Sequence, residues 1–125
     1  MNQKKSIVAV LGATGYIGAR LVPKLVESGQ KVRAIGRNPD KLKGRAWSNA
    51  DGVETVFGDV FDTESLEQAL SGCDVVYYLV HSMSPEVGDF AEADRTAAKN
   101  MAEVAARVGV KRIIYLAGLG EDNVD

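Results

Sequence analysis

The stretch Ser6-Ile-Val-Ala-Val-Leu-Gly12-Ala-Thr-Gly15-Tyr-Ile-Gly18 decides the fold. Ile7 to Leu11 is continuously apolar rather than alternating, so residues 6–11 read as a strand covered on both faces. Three glycines follow at i, i+3 and i+6. Gly12 permits a tight turn, Gly15 lets another group come close to the backbone, and Gly18 lets the next helix pack tightly on the strand. That helix is expected over residues 15–28, where Ile17, Leu21, Val22 and Leu25 recur at helical spacing and Gly29 ends the run. Pro23 lies inside it and is expected to bend or loosen it.

The same alternation continues along the chain. Residues 31–35 form a second strand, Asn38-Pro39-Asp40 starts a short helix through Lys43, and residues 44–52 read as polar and irregular. Val53 to Phe57 is a third strand. Asp62 and Thr63 cap a helix that carries Leu66, Ala69 and Leu70 and stops at Gly72. Residues 74–80 form a fourth strand, again apolar, and residues 81–89 a loop. Phe90, Ala93, Ala97, Met101, Val104, Ala105 and Val108 make the apolar face of a long helix ending at Gly109. Residues 111–117 are a fifth strand, and the last eight residues carry no clear element. Buried strands alternating with helices imply an α/β fold, a parallel sheet covered on both faces. Right-handed crossovers favour the strand order 3-2-1-4-5, and ligands then bind where the first and fourth strands end.

The whole chain of 125 residues has room for one domain. Its formal charge is −2 and its pI about 5.4, which leaves no electrostatic footprint for nucleic acid or an anionic membrane. One cysteine excludes an internal disulfide and with it a disulfide-stapled scaffold. The longest apolar runs fall far short of the ~20 residues of a membrane span. Met-Asn-Gln-Lys-Lys-Ser leads straight into a strand, with no secretory h-region, so the expected compartment is cytoplasmic. No Cys, His, Asp or Glu cluster has metal-ligand spacing, so no metal is expected.

A glycine-rich turn between a buried strand and a helix is the setting in which phosphates sit on free N–H groups at a helix's positive end. A phosphate loop of the nucleotide-triphosphatase kind needs Lys-Ser/Thr after its last glycine, whereas Ala19 and Arg20 follow Gly18. A dinucleotide on Gly12, Thr14, Gly15, Tyr16, Ile17 and Gly18 is therefore expected. The glycine spacing, with Ala-Thr between the first two, differs from Gly-x-Gly-x-x-Gly. It resembles the extended and atypical branches of the short-chain dehydrogenase/reductase superfamily. The likeness runs through the chain. Gly58-Asp59-Val60 is similar to that family's adenine-binding turn, and residues 74–80 to its fourth strand. Tyr78-Leu-Val-His-Ser-Met83 and Arg112-Ile-Ile-Tyr-Leu-Ala-Gly-Leu-Gly120 resemble an atypical bacterial subgroup near the NmrA-like and nucleoside-diphosphate-sugar epimerase types.

The resemblance implies a Rossmann-like domain over residues 1–125 that binds NAD(P), with Asp59 bonding the adenine and Val60 packing on its ring. The residue type near the end of the second strand chooses between the two cofactors. An acid there accepts from the ribose 2′-OH of NAD, but this chain has Arg37, whose fork suits the 2′-phosphate of NADP. Lys41 lies one turn further on. NADP is the expected cofactor and NAD the second choice. Val80 and His81 end the fourth strand beside the switch point and are candidate contacts to the cofactor. Cys73 reads as an inert, semi-buried thiol, and Trp47 as a small packing residue.

The resembling enzymes pair a catalytic Tyr with a Lys four residues later. Tyr16 is followed at that offset by Arg20, Tyr77 by His81, Tyr78 by Ser82 and Tyr115 by Leu119, so no catalytic residue is assigned. The family also normally continues through a further half sheet and a substrate region, so the chain reads as the first part of a longer protein or as a minimal unit. Two functions follow: the cofactor half of an oxidoreductase or nucleotide-sugar epimerase acting on an unidentified small molecule, or a non-catalytic NADP-binding sensor. The edge of the fifth strand, apolar through Ile113, Ile114, Tyr115 and Leu116, is expected to support homo-oligomers.

Overall fold

The structure, a computed structural model, describes residues 6–13, 15–79 and 90–115. Its strands are β1 (Ile7–Leu11), β2 (Lys31–Gly36), β3 (Val53–Phe57), β4 (Val75–Tyr78) and β5 (Arg112–Tyr115), and its helices are α1 (Tyr16–Glu27), α2 (Pro39–Lys43), α3 (Thr63–Leu70) and α4 (Phe90–Val108). All four strand pairs are parallel and the order is β3-β2-β1-β4-β5, as the alternation requires. Register follows from Val8 lying opposite Val32 on one side and Val75 on the other.

Alternate residues of β1 feed two cores. Ala9 and Leu11 join Ile35, Leu66, Leu70, Val76, Met101 and Val104 beneath α3 and α4. Val10 joins Val22, Val32, Ala34 and Leu42 beneath α1 and α2. Leu66, Leu70 and Met101 are at most 1% exposed, and each such burial is worth ~1.5–3 kcal/mol. The outer strands are less covered: Ile113 and Tyr115 on β5 are 39% and 54% exposed, although the Tyr115 ring stacks on Tyr78 at 5.2 Å between centroids.

Several boundaries differ from those read in the sequence. β2 gains Gly36, which pairs with Phe57. β4 is shorter than residues 74–80, and of the expected fifth strand residues 116 and 117 lie outside the described residues. Residues 44–52 are not irregular throughout. They hold a 3₁₀ turn, Ala46–Asn49, that carries Trp47. α1 runs through Pro23 without interruption, and Trp47 supplies a reason. A residue at position 23 would donate its N–H to the carbonyl of Ala19, but proline has none. The Trp47 indole Nε1 donates to that Ala19 oxygen at 3.1 Å instead. A half-buried tryptophan thus fills the bond that proline leaves out.

Candidate functional site

The loop after β1 is held by β2. The backbone N–H groups of Gly12 and Ala13 both donate to the Ile35 carbonyl, at 3.0 and 3.3 Å. Gly12 has φ +95°, a region that side chains rarely enter, so the turn needs glycine there. The Gly15 N–H donates back to the Gly12 oxygen at 3.0 Å, and the first helical bond runs from the Ala19 N–H to the Gly15 oxygen at 2.9 Å. The N–H groups of Tyr16, Ile17 and Gly18, in the first turn of α1, therefore have no helical acceptor. Among the described residues no side chain caps this end, and no acid stands in its first turn. α2 and α3 are finished differently, the Asn38 side chain accepting from Asp40 and Lys41, and that of Asp62 from Ser65. Of these three, α1 alone lacks a side-chain cap among the described residues, and it starts at the carboxyl edge of the sheet beside the ends of β1 and β4.

The two later glycines have different surroundings. A Cβ on Gly18 would stand 2.5 Å from the Gly12 oxygen and 2.7 Å from the Ala13 Cα, so α1 seats against the loop only because nothing is there. A Cβ on Gly15 would come no nearer than 3.4 Å to the Gly12 oxygen, and Gly15 faces outward, leaving open space over the donors. Tyr16 is 74% exposed, with the Arg20 guanidinium 4.4 Å above its ring. This pair holds a cation near the start of the helix by a cation–π contact. Arg20 was not singled out in the sequence, although its i+4 spacing from an aromatic was available as a signal.

Arg37 follows the last residue of β2 and is exposed, and α2 with the exposed Lys41 begins two residues later. Asp59 is half-buried in the turn after β3. Its Oδ1 accepts the Phe61 N–H at 2.9 Å and its own N–H donates to Ser65 Oγ at 3.1 Å. A carboxylate has two acceptor oxygens, so Asp59 combines a turn role with spare accepting capacity. The Val60 side chain is 3% exposed and belongs to the α3/α4 core, and its carbonyl accepts from Asn100 Nδ2 on α4 at 2.7 Å. Asn100 and Ser65 gave no sign of these roles in the sequence. Thr14, Val80 and His81 lie outside the described residues.

Away from this edge, Cys73 is 2% exposed, more deeply buried than the semi-buried expectation. Burial pushes its thiol up from the ordinary 9.0, with the nearby Arg33 guanidinium pulling the other way. An open depression of about 930 Å³ lies at the opposite edge of the sheet, bordered by Ser6, Gln30, Lys31, Asp51, Asp74 and Lys111. It sits at the amino ends of the strands, whereas parallel sheets of this kind take ligands at the carboxyl ends. Among the described residues no group of three His, Cys, Asp or Glu could hold a metal, and no helix is long and apolar enough to cross a membrane.

Comparison with known proteins agrees with this geometry. A family described as NAD(P)H-binding matches residues 12–125. Cinnamoyl-CoA reductase 1 of Petunia hybrida is 30% identical over 123 residues, covering 95% of this chain and 37% of that protein. Among solved structures, an NADPH-dependent quinone oxidoreductase of Escherichia coli complexed with NADPH has a TM-score of 0.67 and 31% identity, over 86% of this chain and 35% of its own. Triphenylmethane reductase of a Citrobacter species complexed with NADP(H) has a TM-score of 0.71 and 29% identity, over 86% of this chain and 36% of its own. These findings bear out the resemblance to short-chain dehydrogenases/reductases and the Rossmann-like fold. The chain spans about 37% of the length of the first of these relatives.

Proposed function

We propose that this chain, which belongs to the NAD(P)H-binding family, prefers NADP(H) and serves as the cofactor-holding part of a reductase. The observation that carries the reading is the bare, acid-free amino end of α1 with Arg37 at the end of the neighbouring strand. The pyrophosphate would rest on the N–H groups of residues 16–18, with Gly12, Thr14 and Gly15 shaping the loop over it. Arg37 would pair with the 2′-phosphate, and Lys41 would add to the local positive charge. Asp59 would accept from the adenine amine, and Val60 would support that turn from the core. Val80 and His81, which follow β4 in the sequence, would be further contacts to the cofactor. When bound, the cofactor supplies a hydride; the proton and the substrate contacts are left to residues that this chain does not assign.

The reductase reading is favoured over a sensor by the company the chain keeps, since its relatives include reductases that match 95% and 86% of its length. Calorimetric titration tests the cofactor preference. A charge-assisted bond is worth ~1.5–3 kcal/mol and exposure lowers that toward its floor, so Arg37→Asp should weaken NADPH by roughly tenfold or more. NADH should bind nearly as before. Equal losses for both cofactors would overturn the assignment of Arg37.

A further inference from the structure

We propose that Asn100 is a positioning residue for the Asp59 carboxylate, acting through the single peptide group that joins Val60 to Phe61. The inference rests on the reading that Asp59 faces the adenine. Asn100 Nδ2 donates to the Val60 oxygen at 2.7 Å from a half-buried place on α4, across a separation of 40 residues. The other bonds in this turn are local: the Phe61 N–H to Asp59 Oδ1 at 2.9 Å, the Asp62 N–H to the Asp59 oxygen at 2.9 Å, and the Asp59 N–H to Ser65 Oγ at 3.1 Å. Among the described residues, Asn100 is the one side chain from outside the β3–α3 segment that bonds the backbone of residues 59–62.

The Val60 carbonyl and the Phe61 N–H belong to one peptide plane. The described peptides include no cis bond, so these two groups point in opposite directions. Asn100 holds one end of that plane and Asp59 Oδ1 accepts from the other. With the Val60 side chain fixed in the core, the Asn100 amide sets the rotation of the plane. The Phe61 N–H in turn sets the direction of the Asp59 carboxylate. Donation to the carbonyl also polarises the peptide and strengthens its N–H as a donor. α4 thereby orients an acceptor on the far side of the turn without touching it. A correctly aimed carboxylate accepts from the 6-amino group of adenine and opposes the 6-oxo group of hypoxanthine, so base selectivity reports its orientation.

The test compares NADPH with its hypoxanthine counterpart on the parent chain, on Asn100→Leu, which keeps the volume without the donor, and on Asn100→Asp, which keeps the shape with an acceptor. Calorimetry should show the preference for NADPH falling roughly tenfold in both variants, through loss of NADPH affinity, with the hypoxanthine cofactor bound about equally by all three. The preference for NADPH over NADH, set at Arg37, should not change. Losses equal for both bases would make Asn100 a merely structural residue and overturn the proposal. A second readout needs no cofactor. In Asn100→Leu, amide exchange at Phe61 should quicken while that at Leu66 in α3 holds, and the Asp59 carboxyl carbon resonance should change its chemical shift. An unchanged Phe61 amide and Asp59 carboxyl resonance would refute the positioning role. If the parent binds neither dinucleotide while these NMR changes occur, the cofactor reading fails and the Asn100–Asp59 coupling stands.

Discussion

Gly15 and Gly18 should fail in different ways when given side chains, because one opens onto the ligand and the other onto the protein's own backbone. At Gly18 the added Cβ would meet the Gly12 oxygen at 2.5 Å, the Ala13 Cα at 2.7 Å and the Ala13 carbonyl carbon at 3.1 Å. These are backbone atoms in a turn already pinned to Ile35, so the relief must come from α1 backing away by about 1 Å. Overpacking of this kind costs ~1–3 kcal/mol, or roughly 4 °C in Tm for each kcal/mol in a domain of this size. Gly18→Ala should therefore lower Tm by about 4–12 °C and weaken NADPH as the helix end shifts. At Gly15 the nearest atom is 3.4 Å away and the backbone, at φ −74° and ψ 175°, is extended conformation that any residue adopts. Gly15→Val should keep Tm within a few degrees and place its methyl groups over the donors of residues 16–18. Losing two charge-assisted bonds at the lower limit of ~1.5 kcal/mol each is about two orders of magnitude in affinity. Thermal unfolding with and without NADPH, backed by calorimetry, separates the two. A Gly15→Val chain that binds NADPH as tightly as the parent would refute the placing of the pyrophosphate. A Gly18→Ala chain with unchanged Tm would refute the packing argument.

Two further outcomes follow from other parts of the fold. Trp47→Phe removes the donor to the Ala19 oxygen and should cost ~1–2 kcal/mol in the parent but less beside Pro23→Ala, which restores a helical N–H to that carbonyl. A coupling of ~1 kcal/mol is expected from the double-mutant cycle in urea, and strict additivity would show that the indole does not replace the missing bond. At Cys73, burial raises the folded pKa above the unfolded one, so the thiol's contribution to stability is fully present below pH 9.0 and is lost as pH rises from there through the folded pKa. Urea midpoints should fall more steeply above pH 9 in the parent than in Cys73→Ala, and equal slopes would mean that the thiol ionises as freely in the fold as outside it.

The parts of the molecule that were legible in the sequence are those whose causes are local or topological. β1, its loop and α1 follow from a run of apolar residues and three glycines, and the strand order follows from parallel pairing with right-handed crossovers. Capping by Asn38 and Asp62 was equally readable, since each acts within three residues of itself. Trp47 was hidden because its partner lies 28 residues away, in a helix where the loosening expected at Pro23 looked like a local matter. Asn100 was hidden for the same reason across 40 residues, on a helix face read only for its apolar positions. This division follows the chemistry of the proposed site. A phosphate asks for backbone N–H groups and empty space, both of which glycines provide wherever a strand runs into a helix. Reading a base asks for a carboxylate aimed in one direction, and a half-buried Asp59 in a five-residue turn cannot fix its own aim. That direction has to come from a neighbour in space, so base selectivity should depend on α4 in a way that phosphate binding does not.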